Sequence, residues 1–275
     1  MPFRSKNEIK RLEKSSNFIN STSIISVSKP TLGFERRDNF TSICLYLVVY
    51  QLFINVDAHN GCVILFCDEL PEFSRATLEV LRQPLEDRKI TISRAKYTIE
   101  YPCSFMFVAS MNPCPCGYFG DPTHHCVCTP GQIQKYMNRI SGPLLDRMDL
   151  HIEVPVVPFN QLSQMQPGES SAAIRKRVIA ARKRQEERYK DVKGVYSNAQ
   201  MTERMIHQFA EPDEQSLDML RTAMERLHLS ARAYNRILKV ARTIADLEGT
   251  ERVLSHHIAE AIGYRNLDRG DWADR

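Results

Sequence analysis

The sequence predicts an α/β protein: an incomplete parallel-sheet core carrying a β-hairpin, followed by a small all-α C-terminal domain. Three observations predict it. Two apolar runs, Val63–Cys67 and Phe105–Ala109, each lead into polar residues, Asp68-Glu69 and Asn112. Buried strands of a parallel sheet read this way when a site lies at their carboxyl edge. Between the runs, Lys89–Ser93 and Lys96–Tyr101 alternate apolar and polar residues around Arg94-Ala95, the pattern of a hairpin. Beyond Ser170 the apolar residues recur at helical spacing.

The chain has 275 residues, room for one large or two ordinary domains, with 43% hydrophobic and 25% charged residues. That composition excludes a disordered or fibrous chain. A net charge of +4 does not by itself argue for nucleic acid. The most hydrophobic segment, Ile43–Val56, has 14 residues and contains Gln51 and Asn55. A bilayer span needs about 20, so a buried strand or helix is expected there and no membrane partner. Four of the 8 cysteines crowd into the 15 positions Cys114–Cys128. With no signal peptide, this points to a reduced, cytoplasmic chain with a metal or structural thiol site rather than a disulfide framework.

Residues 6–56 carry no catalytic spacing, and the Asn/Ser/Thr cluster at 17–23 is loop-like. After the Val63–Cys67 strand, Ser74 is placed to cap one helix bearing Leu78, Leu81 and Leu85, with Pro84 near its end. The hairpin follows, its tip carrying Arg94 and Lys96, and then the Phe105–Ser110 strand. Gln132–Ile140 reads as a short helix and Leu150–Val157 as a further strand. Pro167-Gly168-Glu169-Ser170 reads as a linker. The domain plan is therefore a poorly patterned segment 1–56, a core 57–160, a linker 161–170 and a helical domain 171–275. The expected helices are Ala172–Lys190, Thr202–Phe209, Asp213–Leu227, Ser230–Leu247 and Ser255–Tyr264, with Ser230 as a cap and Gly249 as a stop.

An Asp at the end of a strand can hold Mg²⁺ beside a nucleotide phosphate, and the adjacent Glu can orient and deprotonate water. Read singly, Asp68 and Glu69 equally suit a strand end that meets solvent. Asn112 is spaced to lie beside Asp68, and it also suits the start of a turn before Pro113. Arg147 can present a guanidinium to a neighbouring subunit's nucleotide, or pair with Asp146 or Asp149. Arg232 stands in a helix first turn, where a cation is slightly unfavourable, which favours a role in a site. Cys114, Cys116, Cys126 and Cys128, as two C-x-C pairs, could enclose Zn²⁺, with His124 and His125 as substitutes, or remain reduced thiols. The basic run Arg175, Lys176, Arg177, Arg182, Lys183, Arg184, Arg188 and Lys190 suits a solvated face or a nucleic-acid contact.

The blocks DELPEF, LEVLRQPLEDRKITISRAKYTIEYP, FVASMNPCPCGYFGDP, CVCTPGQIQKYMNRISGPLLDRMDLHIEVP and LSARAYNRILKVARTIADLEG resemble the magnesium-chelatase-like AAA+ ATPases of the ComM/YifB type over about residues 57–268. The resemblance implies an AAA+ core with a pre-sensor-1 hairpin and a helical lid domain. It implies that Asp68 and Glu69 are the Walker B pair, Asn112 sensor 1, Arg147 the arginine finger and Arg232 the sensor 2 arginine. It further implies ATP and Mg²⁺ as cofactors, a hexameric ring, and translocation on single-stranded or branched DNA gripped by Arg94 and Lys96 during competence or recombination.

The resemblance has gaps. No G-x-x-x-x-G-K-[ST] loop occurs in the sequence, because no Gly is followed by Lys. That loop supplies the N–H cradle and the lysine for the β- and γ-phosphates. Before residue 61 only MPFRS and DAHNG resemble the family, so an N-terminally truncated or frame-disrupted member is expected. Three functions stay open: part of an ATPase of a DNA-remodelling ring; an ATPase-inactive, DNA-binding or assembly module; and a metal-chelatase-like subunit.

Overall fold

The computed structural model describes residues 22–27, 62–94, 97–154, 168–265 and 267. It is a mixed α/β structure with a small parallel sheet and a helical C-terminal region, as an incomplete AAA+ core with a helical domain would be. The chain divides into two compact units, Met1–Phe119 with Val127–Leu144, and Leu145–Arg275 with Gly120–Cys126.

In the first unit, β1 (Thr22–Val27), β2 (Cys62–Cys67) and β5 (Met106–Ala109) form the sheet, with β2 in the middle and all three parallel. Ile64 lies opposite Met106 and Cys67 opposite Ala109, so β2 and β5 end together. Strand β1 begins inside the stretch that reads as loop. Its TSIISV sequence is rich in β-branched residues, and a six-residue parallel ladder with β2 overrides the polar cluster before it. The apolar run Ile43–Val56 lies outside the described residues.

The segment expected as one helix is two, α1 (Arg75–Val80) and α2 (Arg82–Asp87). Ser74 caps α1 by accepting from the Thr77 N–H at 3.2 Å. The break falls at Leu81 because Pro84 has no N–H to continue the ladder, yet it is tolerated in the first turn of a new helix. β3 (Lys89–Arg94) and β4 (Tyr97–Pro102) form the antiparallel hairpin. Arg94 pairs with Tyr97 in the ladder rather than standing in the turn, and Lys96 lies outside the described residues. Tyr97 is 60% and Ile99 41% exposed, so β4 leaves apolar surface uncovered. α3 (Pro130–Met137) starts at a capping box in which Thr129 and Gln132 satisfy each other's backbone N–H groups. The short α4 (Gly142–Leu145) follows.

In the second unit, the expected strand over Leu150–Val157 is not formed in its described part, 150–154, which joins no ladder. The His151 N–H instead donates to the Tyr264 carbonyl at 2.7 Å, and the buried Arg265 donates to the Met148 carbonyl. These tertiary ties claim the backbone that a sheet would have used. Among the described residues five helices follow: α5 (Ser171–Tyr189), α6 (Glu203–Phe209), α7 (Glu214–Arg226), α8 (Ala231–Glu248) and α9 (Ser255–Gly263). Ser170, Thr202, Asp213 and Ser230 each accept from the backbone N–H three residues on. The central helix α8 buries Ala233, Ile237, Leu238, Ala241 and Ala245 and packs against α5, α6 and α9. Each large apolar side chain so buried contributes about 1.5–3 kcal/mol.

The basic helix α5 is only partly a solvated face. Arg184 donates to the Asp246 carbonyl at 2.8 Å, and Arg188 donates to the Asp246 carboxylate and to Asn198 Oδ1. Arg175, Lys176, Arg182 and Lys183 remain exposed. Among the described residues, no helix is long and apolar enough to cross a membrane.

Candidate functional site

The carboxyl ends of β2 and β5 are stitched together in the first unit. The Ser110 N–H donates to the Cys67 carbonyl at 3.0 Å, and the Leu70 N–H donates to the Ser110 carbonyl at 2.9 Å. The Ser110 hydroxyl donates to Asp68 Oδ1, which also accepts the Glu69 N–H at 3.1 Å. Asp68 and Glu69 are both exposed. Glu69 has a left-handed backbone (φ 50°) as it turns into the 3-10 segment Leu70–Glu72. A non-glycine residue held there carries strain of about 1–2 kcal/mol, of the kind found at sites where geometry is over-determined. Arg139 secures the far side of this turn by donating to the Pro71 carbonyl at 2.8 Å.

The hydrogen bond to Asp68 therefore comes from Ser110, which the sequence reading overlooked. The available signal was a hydroxyl directly after the apolar run that ends at Ala109. Asn112 is exposed two residues further on, and its backbone N–H donates to the Tyr136 hydroxyl oxygen on α3. Burial raises the Tyr136 pKa, with that hydrogen bond acting against it. The surface thus presents two carboxylates and an amide at one strand edge. These hard oxygen donors suit a hydrated divalent cation such as Mg²⁺.

Arg147 and Arg232 belong to the second unit. Arg147 is half-buried just after α4. The two carboxylates that flank it have other partners: Asp149 pairs with Arg236 at 2.5 Å and Asp146 lies 4.0 Å from Arg265. Arg232 is exposed in the first turn of α8, behind the Ser230 cap.

The cysteine loop is compact. Cys114 is buried, Cys116, Cys126 and Cys128 are half-buried, and their four sulfurs lie within 4.8 Å of one another. Cys114 Sγ and Cys116 Sγ are 3.3 Å apart, and all four cysteines are free. Backbone N–H bonding from Tyr118, with the neighbouring thiols and Val127, holds the Cys116 thiol down at about 6. His124 and His125 are exposed and stand outside the thiol cluster; His124 Nδ1 is instead engaged with Thr123 Oγ1 at 2.8 Å.

The family model for magnesium chelatase, subunit ChlI, matches residues 55–162, and the model for its C-terminal region matches residues 168–265. The chain is 46% identical over 213 residues to the uncharacterized protein YifB of Salmonella typhimurium. It is likewise 46% identical over 213 residues to the competence protein ComM of Haemophilus influenzae. Both alignments cover 77% of this chain and 40% of the relative. The uncharacterized protein Rv2897c of Mycobacterium tuberculosis is 36% identical over 208 residues, 76% of this chain and 40% of that protein. The chain thus spans about 40% of the length of the curated relatives it matches. With both family models matched in order along one chain and these relatives aligned over three quarters of it, the chain belongs to the magnesium-chelatase-like family of the ComM/YifB type.

Proposed function

We propose that this chain supplies the metal- and water-handling half of a nucleotide-hydrolysing site in a ring-forming protein that moves on DNA. The observation that supports this reading best is the Asp68 carboxylate, held by Ser110 at the edge where two parallel strands end together. Mg²⁺ bound with ATP supplies charge neutralisation at the phosphates. On this reading Asp68 holds the cation, Glu69 orients and deprotonates the attacking water, and Asn112 hydrogen-bonds the water or the terminal phosphate. Arg147 and Arg232 stabilise phosphoryl charge. The role in competence or recombination rests on the name of the Haemophilus influenzae relative.

The sequence has no G-x-x-x-x-G-K-[ST] phosphate cradle, so the chain alone should not turn over ATP above background. The test is Mg²⁺-dependent phosphate release from the wild-type chain and from Glu69→Gln. Turnover that vanishes in Glu69→Gln would overturn the claim that the cradle must come from elsewhere. The active-site reading is tested separately by Mn²⁺ titration in the presence of ATP. Uptake equal in wild type and Asp68→Ala would sink it.

A second reading is a nucleotide-independent DNA-binding module. It is favoured by the exposed β4 surface and by the exposed Arg175, Lys176, Arg182 and Lys183 of α5. Backbone contacts from such cations give sequence-independent, salt-sensitive binding. Single-strand binding that persists without ATP and weakens in Arg94→Ala and Lys96→Ala would support it. Binding insensitive to those changes and to salt would exclude it.

A further inference from the structure

We propose that Cys114, Cys116, Cys126 and Cys128 hold one Zn²⁺ ion as a tetrathiolate that staples the loop between Asn112 and α3. The inference is independent of the ATP reading. A tetrahedral Zn–S₄ centre with bonds of about 2.3 Å has sulfur–sulfur edges of about 3.8 Å. The four sulfurs already lie within 4.8 Å of one another, with one pair at 3.3 Å. A disulfide would need about 2.05 Å, and no pair is joined. Closing the shell therefore changes sulfur–sulfur distances by no more than about 1 Å, among side chains that one short loop supplies.

The backbone is shaped for this. Gly117 adopts φ +86°, and its N–H donates to the Cys114 carbonyl at 3.0 Å, closing a turn that puts Cys114 and Cys116 on one side. The backbone N–H groups of Tyr118 and Val127 are directed at the Cys116 sulfur. Donors to sulfur of this kind stabilise thiolate ligands from the outer shell. The loop is also anchored at both ends. Asn112 is tied to Tyr136, and Cys128 directly precedes Thr129, the cap of α3. An ion at the four thiols would fix the segment that presents Asn112 to the start of the helix that carries Tyr136. Loading displaces the protons of those thiols that are still protonated, and these leave to the buffer as the metal–sulfur bonds form.

A second trio with metal-ligand types, Glu248, His256 and His257, fails on protonation. His257 Nδ1 accepts the Leu254 N–H at 2.9 Å, which puts the ring proton on Nε2, the atom that donates to Glu248 at 2.5 Å. That nitrogen has no lone pair for a metal.

The experiment is metal analysis of the purified full chain, with Cys114→Ser, Cys128→Ser and His256→Ala variants. Zinc near one equivalent per chain is expected in wild type and His256→Ala, with at least a tenfold loss in the cysteine variants. Zinc retained in the cysteine variants, or four thiols freely reactive in a metal-free native chain, would overturn the proposal. Should the variants not fold, cobalt substitution of the wild-type chain reads the site directly. A thiolate-to-cobalt charge-transfer band with a tetrahedral d–d envelope is expected, and its absence would count against the site. Chelation should also open residues 115–127 to proteolysis while the metal-loaded loop resists it; equal cleavage in both states would refute the staple.

Discussion

The hydroxyl of Ser110 donates to Oδ1 of Asp68, so the residues that directly follow two neighbouring parallel strands share one hydrogen bond at the site edge. The bond is exposed, and its contribution to stability is accordingly small, under about 1 kcal/mol. Its consequence is orientation. Ser110→Ala is expected to leave the melting temperature nearly unchanged while weakening Mn²⁺ uptake with ATP several-fold, less than Asp68→Ala does. Parallel thermal melts and metal titrations check this; equal uptake in Ser110→Ala and wild type would remove Ser110 as a positioning residue.

Asp246 is the electrostatic centre of the helical unit. It is fully buried and accepts from Arg188, from Asn198 Nδ2 at 2.8 Å and from Arg242 Nη2 at 3.0 Å. Burial pushes its pKa up, but the hydrogen bonds from Arg188 and Asn198 and the nearby guanidinium charges outweigh that and leave it lowered. The same contact raises Arg188, whereas burial lowers Arg242; Arg242 also donates to the Glu251 and Thr250 carbonyls at 2.5 and 2.6 Å. Both guanidiniums stay charged at neutral pH. Removing the carboxylate strands one buried cation, Arg242, and one half-buried, Arg188, so Asp246→Ala should destabilise the chain by about 3–5 kcal/mol in denaturant melts. Because the folded pKa lies below the unfolded one, this contribution is present above about pH 4 and is lost as pH falls through the folded value.

His151 sets a different pH window. Burial first, and the Arg265 charge second, push its pKa down from 6.5 to about 4. The unfolded chain therefore takes up a proton that the folded chain refuses between those values. Stability falls as pH drops through that interval and levels off below about 4, by up to about 3 kcal/mol. A His151→Phe variant should lose this slope while keeping the steeper acid loss that Asp246 causes. Chemical denaturation at stepped pH values separates the two.

Gly249 ends α8 at φ +95°, and a Cβ there would sit 2.9 Å from Arg184 Nη2. Arg184 is the side chain that donates to the Asp246 carbonyl. Gly249→Ala combines left-handed strain with displacement of that guanidinium, and should destabilise by about 1–2 kcal/mol. Gly117→Ala makes the useful contrast: nothing lies within 4 Å of its added Cβ, so its cost of about 1 kcal/mol is backbone strain alone. Paired melts of the two variants, with and without Arg184→Ala, resolve the contributions. A Gly249→Ala effect that does not shrink in the Arg184→Ala background would refute the coupling.

What the sequence determined by itself follows local chemistry. The apolar runs at Val63–Cys67 and Phe105–Ala109 required strands, although only the first is buried, at Leu65 and Cys67, while Met106–Ala109 stays exposed or half-buried; the Ser74, Ser170, Thr202, Asp213 and Ser230 caps fixed where helices begin. The alternation around Arg94 required a hairpin, and the C-x-C pairs marked a thiol site. Such features depend on residues a few positions apart. Tertiary structure decided the rest. It kept 150–154 out of a ladder through His151, Tyr264 and Arg265, and added β1 from a stretch without a strong pattern. It drew Arg184 and Arg188 to Asp246, and it gave Asp68 a hydrogen bond from Ser110. Each of these outcomes depends on a partner dozens of residues away, and a buried charge or an unpaired backbone group takes whichever partner the packed chain brings within about 3 Å.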